Sequence, residues 1–166
     1  VVLRVLVVSL GPLLSVWQDM LIVVALLSIG FGNAVAIAQT NIKRMLAYST
    51  ISHMGFFLLG ILSGTLSGYS AAMLYVMIYA IVSVGTFGCI LYLTAEGFEA
   101  DKLEDYRGLS ETQPWLAFFL LLFMFSLAGI PPTVGFYAKL SILQAVIGAE
   151  LLWVAIPSVI FAVVGA

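Results

Sequence analysis

The run Trp115–Gly148, WLAFFLLLFMFSLAGIPPTVGFYAKLSILQAVIG, is thirty-four residues long and carries one formal charge, Lys139. As one straight helix it would measure about 50 Å at 1.5 Å per residue. The hydrocarbon core of a bilayer is only about 30 Å thick. Its middle, Gly129-Ile130-Pro131-Pro132, interrupts a helix, because proline lacks a backbone donor and restricts the residue before it. The run is therefore either one span broken near Gly129–Pro132 or a tight hairpin of two short spans. A break exposes peptide groups that lipid cannot satisfy, so a broken helix must be buried in protein or line a wet cavity. Carriers place such breaks at ion sites near the midplane. Lys139 is a lone ammonium at membrane depth, which costs roughly 2.5–3.5 kcal/mol on insertion scales.

The rest of the chain agrees with a membrane setting. Of 166 residues 63% are hydrophobic and 8% charged, and the mean hydropathy is +1.20. A soluble domain needs about 25% charged residues to cover its surface. The apolar runs are continuous and do not alternate as barrel strands do, which makes the class all-α and polytopic. A net charge of −2 gives no reason to expect a nucleic-acid partner. Cys89 is the one cysteine, which leaves no internal disulfide. No segment resembles a cleavable signal peptide. The chain opens without Met and ends inside the apolar run Leu151–Ala166, and is read as a piece of a longer protein, cut at both ends.

Working outward from the central run, the expected spans are Met20–Ala38, Met45–Leu62 and Tyr69–Ala95, with Leu151–Ala166 starting a last one. Val1–Leu14, with Arg4, Gly11 and Pro12, is too short to cross and is expected at the interface or as the end of an upstream span. A polar turn, Gln39–Arg44, and the short loop Ser63–Gly68 join the first three spans. The one substantial polar loop is Glu96–Gln113, with Glu96, Glu99, Asp101, Lys102, Glu104, Asp105, Arg107 and Glu111. Five crossings put that loop and the Gln39–Arg44 turn on one side, with Lys43, Arg44, Lys102 and Arg107 against Arg4 opposite. Basic residues in short loops stay in the cytoplasm, so residues 96–113 are expected to be cytoplasmic and residues 1–166 one membrane domain.

Few groups offer chemistry. Lys139 suits an ion path or proton relay; the plain alternative is a snorkelling lysine, but Gly148 is about 15 Å of helix away. His53, the only histidine, changes charge near neutrality; otherwise it is a neutral residue bonded in a helix interface. Ser49 lies one turn before it, with Thr50 and Ser52 close. Tyr48, Tyr75 and Tyr79 are phenols within spans, and Tyr75 and Tyr79 share a helical face. They would support a hydrogen-bonded chain or, more plainly, pack with satisfied hydroxyls. Asn33, Ser126, Thr133, Ser141 and Gln144 read as helix–helix glue. Gly30, Gly32, Gly85 and Gly88 read as close-approach positions, and Lys43 and Arg44 as topology anchors. No cysteine–histidine cluster, glycine-rich nucleotide loop or Ser–His–Asp set is apparent, so any redox cofactor is expected on another chain.

Two segments carry a resemblance to a known family. Ala38-Gln39-Thr40-Asn41-Ile42-Lys43-Arg44-Met45-Leu46-Ala47-Tyr48-Ser49-Thr50-Ile51-Ser52-His53-Met54-Gly55 resembles the signature of the antiporter-like, proton-conducting membrane subunits of respiratory complex I. Leu127-Ala128-Gly129-Ile130-Pro131-Pro132-Thr133-Val134-Gly135-Phe136-Tyr137-Ala138-Lys139 resembles their broken helix with its central lysine. Each motif alone is shared with Mrp-type cation/proton antiporters and membrane-bound hydrogenases; their order and spacing make the superfamily. Tyr75 and Tyr79, where L-type chains carry histidines and a lysine, and Lys139, where M-type chains carry a glutamate, point to the N-type branch.

The resemblance covers nearly the whole chain. It implies about five transmembrane helices forming one inverted repeat, the second, with Trp115–Gly148 as one discontinuous helix. It implies a multi-pass place in a bacterial inner membrane, and proton translocation coupled to NADH oxidation and quinone reduction. Lys139 and His53 would be relay residues, with Tyr48, Ser49, Tyr75, Tyr79, Pro131 and Pro132 in support. The partners would be other membrane-arm subunits, and NAD, FMN, iron–sulfur clusters and quinone would be bound elsewhere in the complex. The family's first repeat, with its own glutamate–lysine pair and mid-membrane lysine, is not in this sequence. The rivals are an Mrp-type antiporter subunit and a purely structural subunit whose Lys139 pairs with a carboxylate.

Overall fold

Short polar side chains place the starts of two of the long helices. The computed structural model describes residues 4–9, 11–95 and 101–166; Glu96 and Glu99 of the polar loop, and residues 1–3, lie outside the described residues. The helices are α1 (Leu14–Ile37), α2 (Ile42–Leu62), α3 (Leu66–Ala95), a one-turn α4 (Leu109–Thr112), α5 (Pro114–Ala128), α6 (Val134–Gly148) and α7 (Leu152–Val164). The Asn41 side chain accepts the Arg44 N–H at 3.0 Å, a side-chain N-cap. The second helix therefore begins at Ile42, ahead of the expected Met45. Thr65 accepts the Gly68 N–H at 3.1 Å, which starts α3 at Leu66 inside the expected loop. The first helix starts at Leu14 rather than Met20, after a π-helical turn, Val5–Ser9, and a 3-10 turn, Gly11–Leu13. The early turn is held because Trp17 is buried and Gln18 donates to the Leu62 carbonyl at 2.7 Å.

Among the described residues three helices are long and apolar enough to cross a membrane, over Val16–Ile37, Ile42–Leu62 and Leu66–Thr94. Large apolar side chains at helical spacing stay exposed, such as Val16, Met20, Leu27 and Phe31 on α1 and Met77, Ile81 and Val84 on α3. An apolar surface this extensive suits hydrocarbon rather than water.

The long helix α3 decides the path of the interrupted run. Leu120 of α5 shares a core cluster with Ile90 and Leu93, at the C-terminal end of α3. Ala138 and Ile142 of α6 share a second cluster with Ala71, Ala72 and Tyr75, at its N-terminal end. The two short helices thus follow one another along α3, antiparallel to it. A hairpin would have folded α6 back along α5, so the hairpin alternative does not describe this chain.

Small residues set the closest crossings. A Cβ on Gly32 would lie 2.7 Å from the Ser52 amide nitrogen, and one on Gly85 would lie 2.5 Å from the Phe123 ring. Gly30 meets the Phe161 ring at 3.2 Å by the same construction, whereas Gly88 faces open space and makes no close approach. The last helix, α7, is tied to α1 by Asn33, which donates to the Phe161 carbonyl at 2.7 Å.

At one end of the bundle the polar loop docks on the α1–α2 turn. The Ile42 N–H donates to the Asp101 carbonyl at 2.9 Å and the Leu103 N–H to the Thr40 carbonyl at 3.1 Å. Lys43 and Asp101 form an ion pair at 2.6 Å. Burial, with Asp101 and Asp105 nearby, pushes the Tyr106 phenol up to about 12, so it stays protonated and neutral against this part of the core.

Candidate functional site

The middle of α2, the break between α5 and α6, and the Tyr75–Tyr79 stretch of α3 meet at one place. His53 is buried, and its Nδ1 is joined to the Tyr75 hydroxyl by a 2.7 Å hydrogen bond. The Tyr79 ring lies 4.7 Å from the imidazole, centre to centre. The Tyr79 hydroxyl donates to Thr50 at 2.7 Å, and Thr50 in turn donates to the Leu46 carbonyl at 2.9 Å. The i, i+4 spacing of Tyr75 and Tyr79 brings both phenols to the histidine's side of α2. One phenol bonds the imidazole and the other covers its face.

Lys139 extends from the second turn of α6 back to the C-terminus of α5. Its Nζ donates to the Ala128 carbonyl at 2.7 Å and to the Leu127 carbonyl at 3.2 Å. The Phe56 ring centre is 5.5 Å away, within cation–π range. Among the described residues Lys43–Asp101 is the one ion pair, and none of their carboxylates pairs with Lys139. The break itself holds Gly129 at φ 81 and a cis peptide between Pro131 and Pro132. Both prolines are exposed, and the Gly135 N–H donates to the Ser126 hydroxyl at 3.1 Å.

A cavity of about 290 Å³, lined in part by Asn33, Ser49, Ser52, His53, Leu127 and Lys139, opens beside the break. Its walls are largely apolar, with Asn33, Ser49, Ser52, His53 and Lys139 as the polar groups, and it has room for several waters. A smaller void of about 20 Å³ touches His53, Tyr75, Tyr79, Ser126, Gly135 and Lys139. His53 and Lys139 border both spaces. Ser49 is in the wall of the larger cavity. Tyr48 is half-buried one residue away and lines neither space. Lys43 and Arg44 stand at the loop end of α2, apart from this cluster. No group of three or more His, Cys, Asp or Glu among the described residues is placed to hold a metal ion.

Phe56 and the carbonyls of Leu127 and Ala128 belong to the site but went unseen in the sequence. Phe56 follows His53 by three residues, so helical spacing would have placed it on the same face. The carbonyls leave no mark in side-chain chemistry; only their place at the end of a helix singles them out.

Residues 1–165 match the family model described as NADH:quinone oxidoreductase/Mrp antiporter, TM. The chain is 61% identical over its whole length to NADH-quinone oxidoreductase subunit N of Thioalkalivibrio sulfidiphilus (strain HL-EbGR7), covering 35% of that protein. It is 56% identical to subunit N of Thiobacillus denitrificans (strain ATCC 25259 / T1), over 99% of this chain and 34% of that one. Among solved structures, a chain of the Mrp complex from Dietzia sp. DQ12-45-1b superposes with TM-score 0.83 at 28% identity, over 91% of this chain and 28% of that one. A chain of respiratory complex I from Thermus thermophilus with bound NADH gives 0.75 at 29%, over 92% and 32%. The chain thus spans about a third of the length of the curated relatives it matches.

Proposed function

The chain belongs to the NADH:quinone oxidoreductase/Mrp antiporter transmembrane family, and from that premise we propose that it is part of a proton-translocating membrane-arm subunit of NADH:quinone oxidoreductase, of the subunit N type. In this reading it is multi-pass in a bacterial inner membrane and assembles with other membrane-arm subunits. It acts as part of a translocase, with NAD, FMN, iron–sulfur clusters and quinone bound by other subunits. Its helices form one five-span inverted repeat, α5 and α6 together making a single discontinuous span. Residues 96–113 face the cytoplasm.

Lys139 takes up and releases a proton at the break. Water in the adjoining cavity and His53 pass it on, toward a lysine relay in the part of the protein beyond this sequence. Tyr75 and Tyr79 hold the imidazole, Ser49 offers a hydroxyl to the cavity, and Tyr48 supports the helix beside it. Pro131 and Pro132 keep the helix open, and Lys43 and Arg44 fix its orientation.

One observation carries this reading: Lys139 is tethered at a helix break, with no carboxylate paired to it among the described residues, beside a cavity that it shares with the only histidine. A structural lysine would be expected to sit against a counter-charge. The Mrp-type alternative has a specific observation behind it, the close superposition on the Mrp chain. Sequence identity favours the subunit N relatives.

Replacing Lys139 with Ala in the full-length subunit should leave the complex assembled. Proton pumping in inner-membrane vesicles should fall sharply for each NADH oxidised. Undiminished pumping by an assembled variant would overturn the relay. Dependence of transport on sodium rather than on NADH oxidation would favour the antiporter.

A further inference from the structure

We propose that the last carbonyls of α5, at Leu127 and Ala128, form the seat of the Lys139 ammonium, and that Gly129 is the positioning residue that opens the way to it; this rests on Lys139 being the proton-carrying group proposed above. A helix ends with four carbonyls lacking intrahelical partners, and its C-terminus carries about half a negative elementary charge. In α5 the Phe125 carbonyl is used by the Gly129 and Ile130 N–H groups. The Leu127 and Ala128 carbonyls take Lys139. A cation at this point meets the end of a dipole and two aligned acceptors, which substitute for the missing carboxylate. Phe56 adds its ring face.

Gly129 makes the approach possible. A Cβ at this position would lie 2.9 Å from Lys139 Cδ, 3.1 Å from Nζ and 3.2 Å from Cε. The lysine stem therefore runs over the bare Cα of Gly129, through the space that any other residue would fill. A side chain there would meet the flexible end of Lys139 and not a wall of backbone, so the lysine is the group that gives way. The positive φ at Gly129 is a second reason for glycine, and the two reasons can be separated. Asparagine tolerates the left-handed region better than other non-glycine residues, yet its side chain still occupies the lysine's path.

Two measurements on the full-length subunit in the assembled complex test the seat. In Gly129→Asn, with Lys139 intact, proton pumping should drop about tenfold or more, the scale set by losing a hydrogen bond to a charged group. In Lys139→Met, hydrogen exchange at the Gly129 and Ile130 amides should rise by about tenfold, because α5 loses the donor that closes its end. Lys139→Arg, which keeps a charged donor, should hold exchange near the unsubstituted level. Full pumping in an assembled Gly129→Asn complex overturns the seat, as does unchanged exchange in Lys139→Met. Neither result touches the relay, which falls only if the complex pumps undiminished without Lys139.

Discussion

A mostly buried ammonium with no carboxylate paired to it among the described residues is stabilised by dipoles and rings, and Lys139 has two carbonyls and the Phe56 face. His53 is held differently: a single phenol, Tyr75, occupies Nδ1. The phenol can donate to Nδ1 or accept from it, so the bond fixes the ring's orientation whichever tautomer is present. Substituting Tyr75 with Phe removes that bond inside a buried site and leaves the ring nitrogen unmatched, at a cost of about 1–3 kcal/mol. At the lower end this is roughly a fivefold change in the population of the correctly held imidazole. The expected outcome is a several-fold loss of proton pumping in Tyr75→Phe with the complex assembled, measured beside NADH oxidation in the same vesicles. Unaltered pumping would mean that His53 needs no such partner. Lys139 and His53 were legible in the sequence because a charge and an imidazole are conspicuous among apolar neighbours. Their immediate partners were less so, since a backbone carbonyl has no side-chain signature and Phe56 resembles any core aromatic.

At the scale of elements, the residues by themselves announced an interruption at Gly129–Pro132 but left open which way the chain continues, and only the family resemblance implied one discontinuous helix. Two apolar runs of 15 residues on either side of a proline pair satisfy either geometry. The structural decision lies in tertiary packing along α3, where Leu120 shares a cluster with Ile90 and Leu93, and Ala138 shares another with Ala71 and Ala72. Helix starts moved for a related reason. Hydropathy alone does not register a cap such as Asn41 or Thr65, or a tether such as Gln18 to Leu62. The junction of α5 and α6 depends on Gly135, where an added Cβ would fall 1.8 Å from the Ser126 carbonyl oxygen. No side-chain rotation relieves a clash with backbone, so α6 must shift away from α5. Overpacking of this kind costs about 1–3 kcal/mol or more. Gly135→Ala should therefore reduce the amount of assembled subunit in the membrane and abolish pumping despite an intact Lys139. Gly148→Ala, where nothing lies within 4 Å of the added atom, should do neither. Immunoblotting of purified complex and vesicle pumping read both variants, and equal behaviour of the two would remove the junction from the account.

At the scale of the molecule, the antiparallel course of α5 and α6 along α3 sorts the connections to two ends. The Asn41 turn and the polar loop lie together, joined by the Asn41–Lys102 bridge and the Lys43–Asp101 ion pair. The Ser63–Gly68 connection is at the other end of α3, beside Ala145 of α6 across a groove shared with Ser67 and Ser70. Of the basic residues, the first end has Lys43, Arg44, Lys102 and Arg107, and the second has Arg4. Retention of basic loops in the cytoplasm is the ground for the proposed placement of the polar loop inside, with α3, about 45 Å long, reaching across. A single cysteine at Ser67, in a full-length chain with Cys89→Ser, should react with a membrane-impermeant maleimide in intact spheroplasts. Glu104→Cys should react only in inverted vesicles or after lysis. Reversed labelling would turn the proposed orientation over, and the direction of the relay with it. Reaction of both cysteines from the same side would show that α3 does not cross. The test bears on the site because His53 and Lys139 lie between these two ends. Which end each of them serves depends on which way the bundle stands in the membrane.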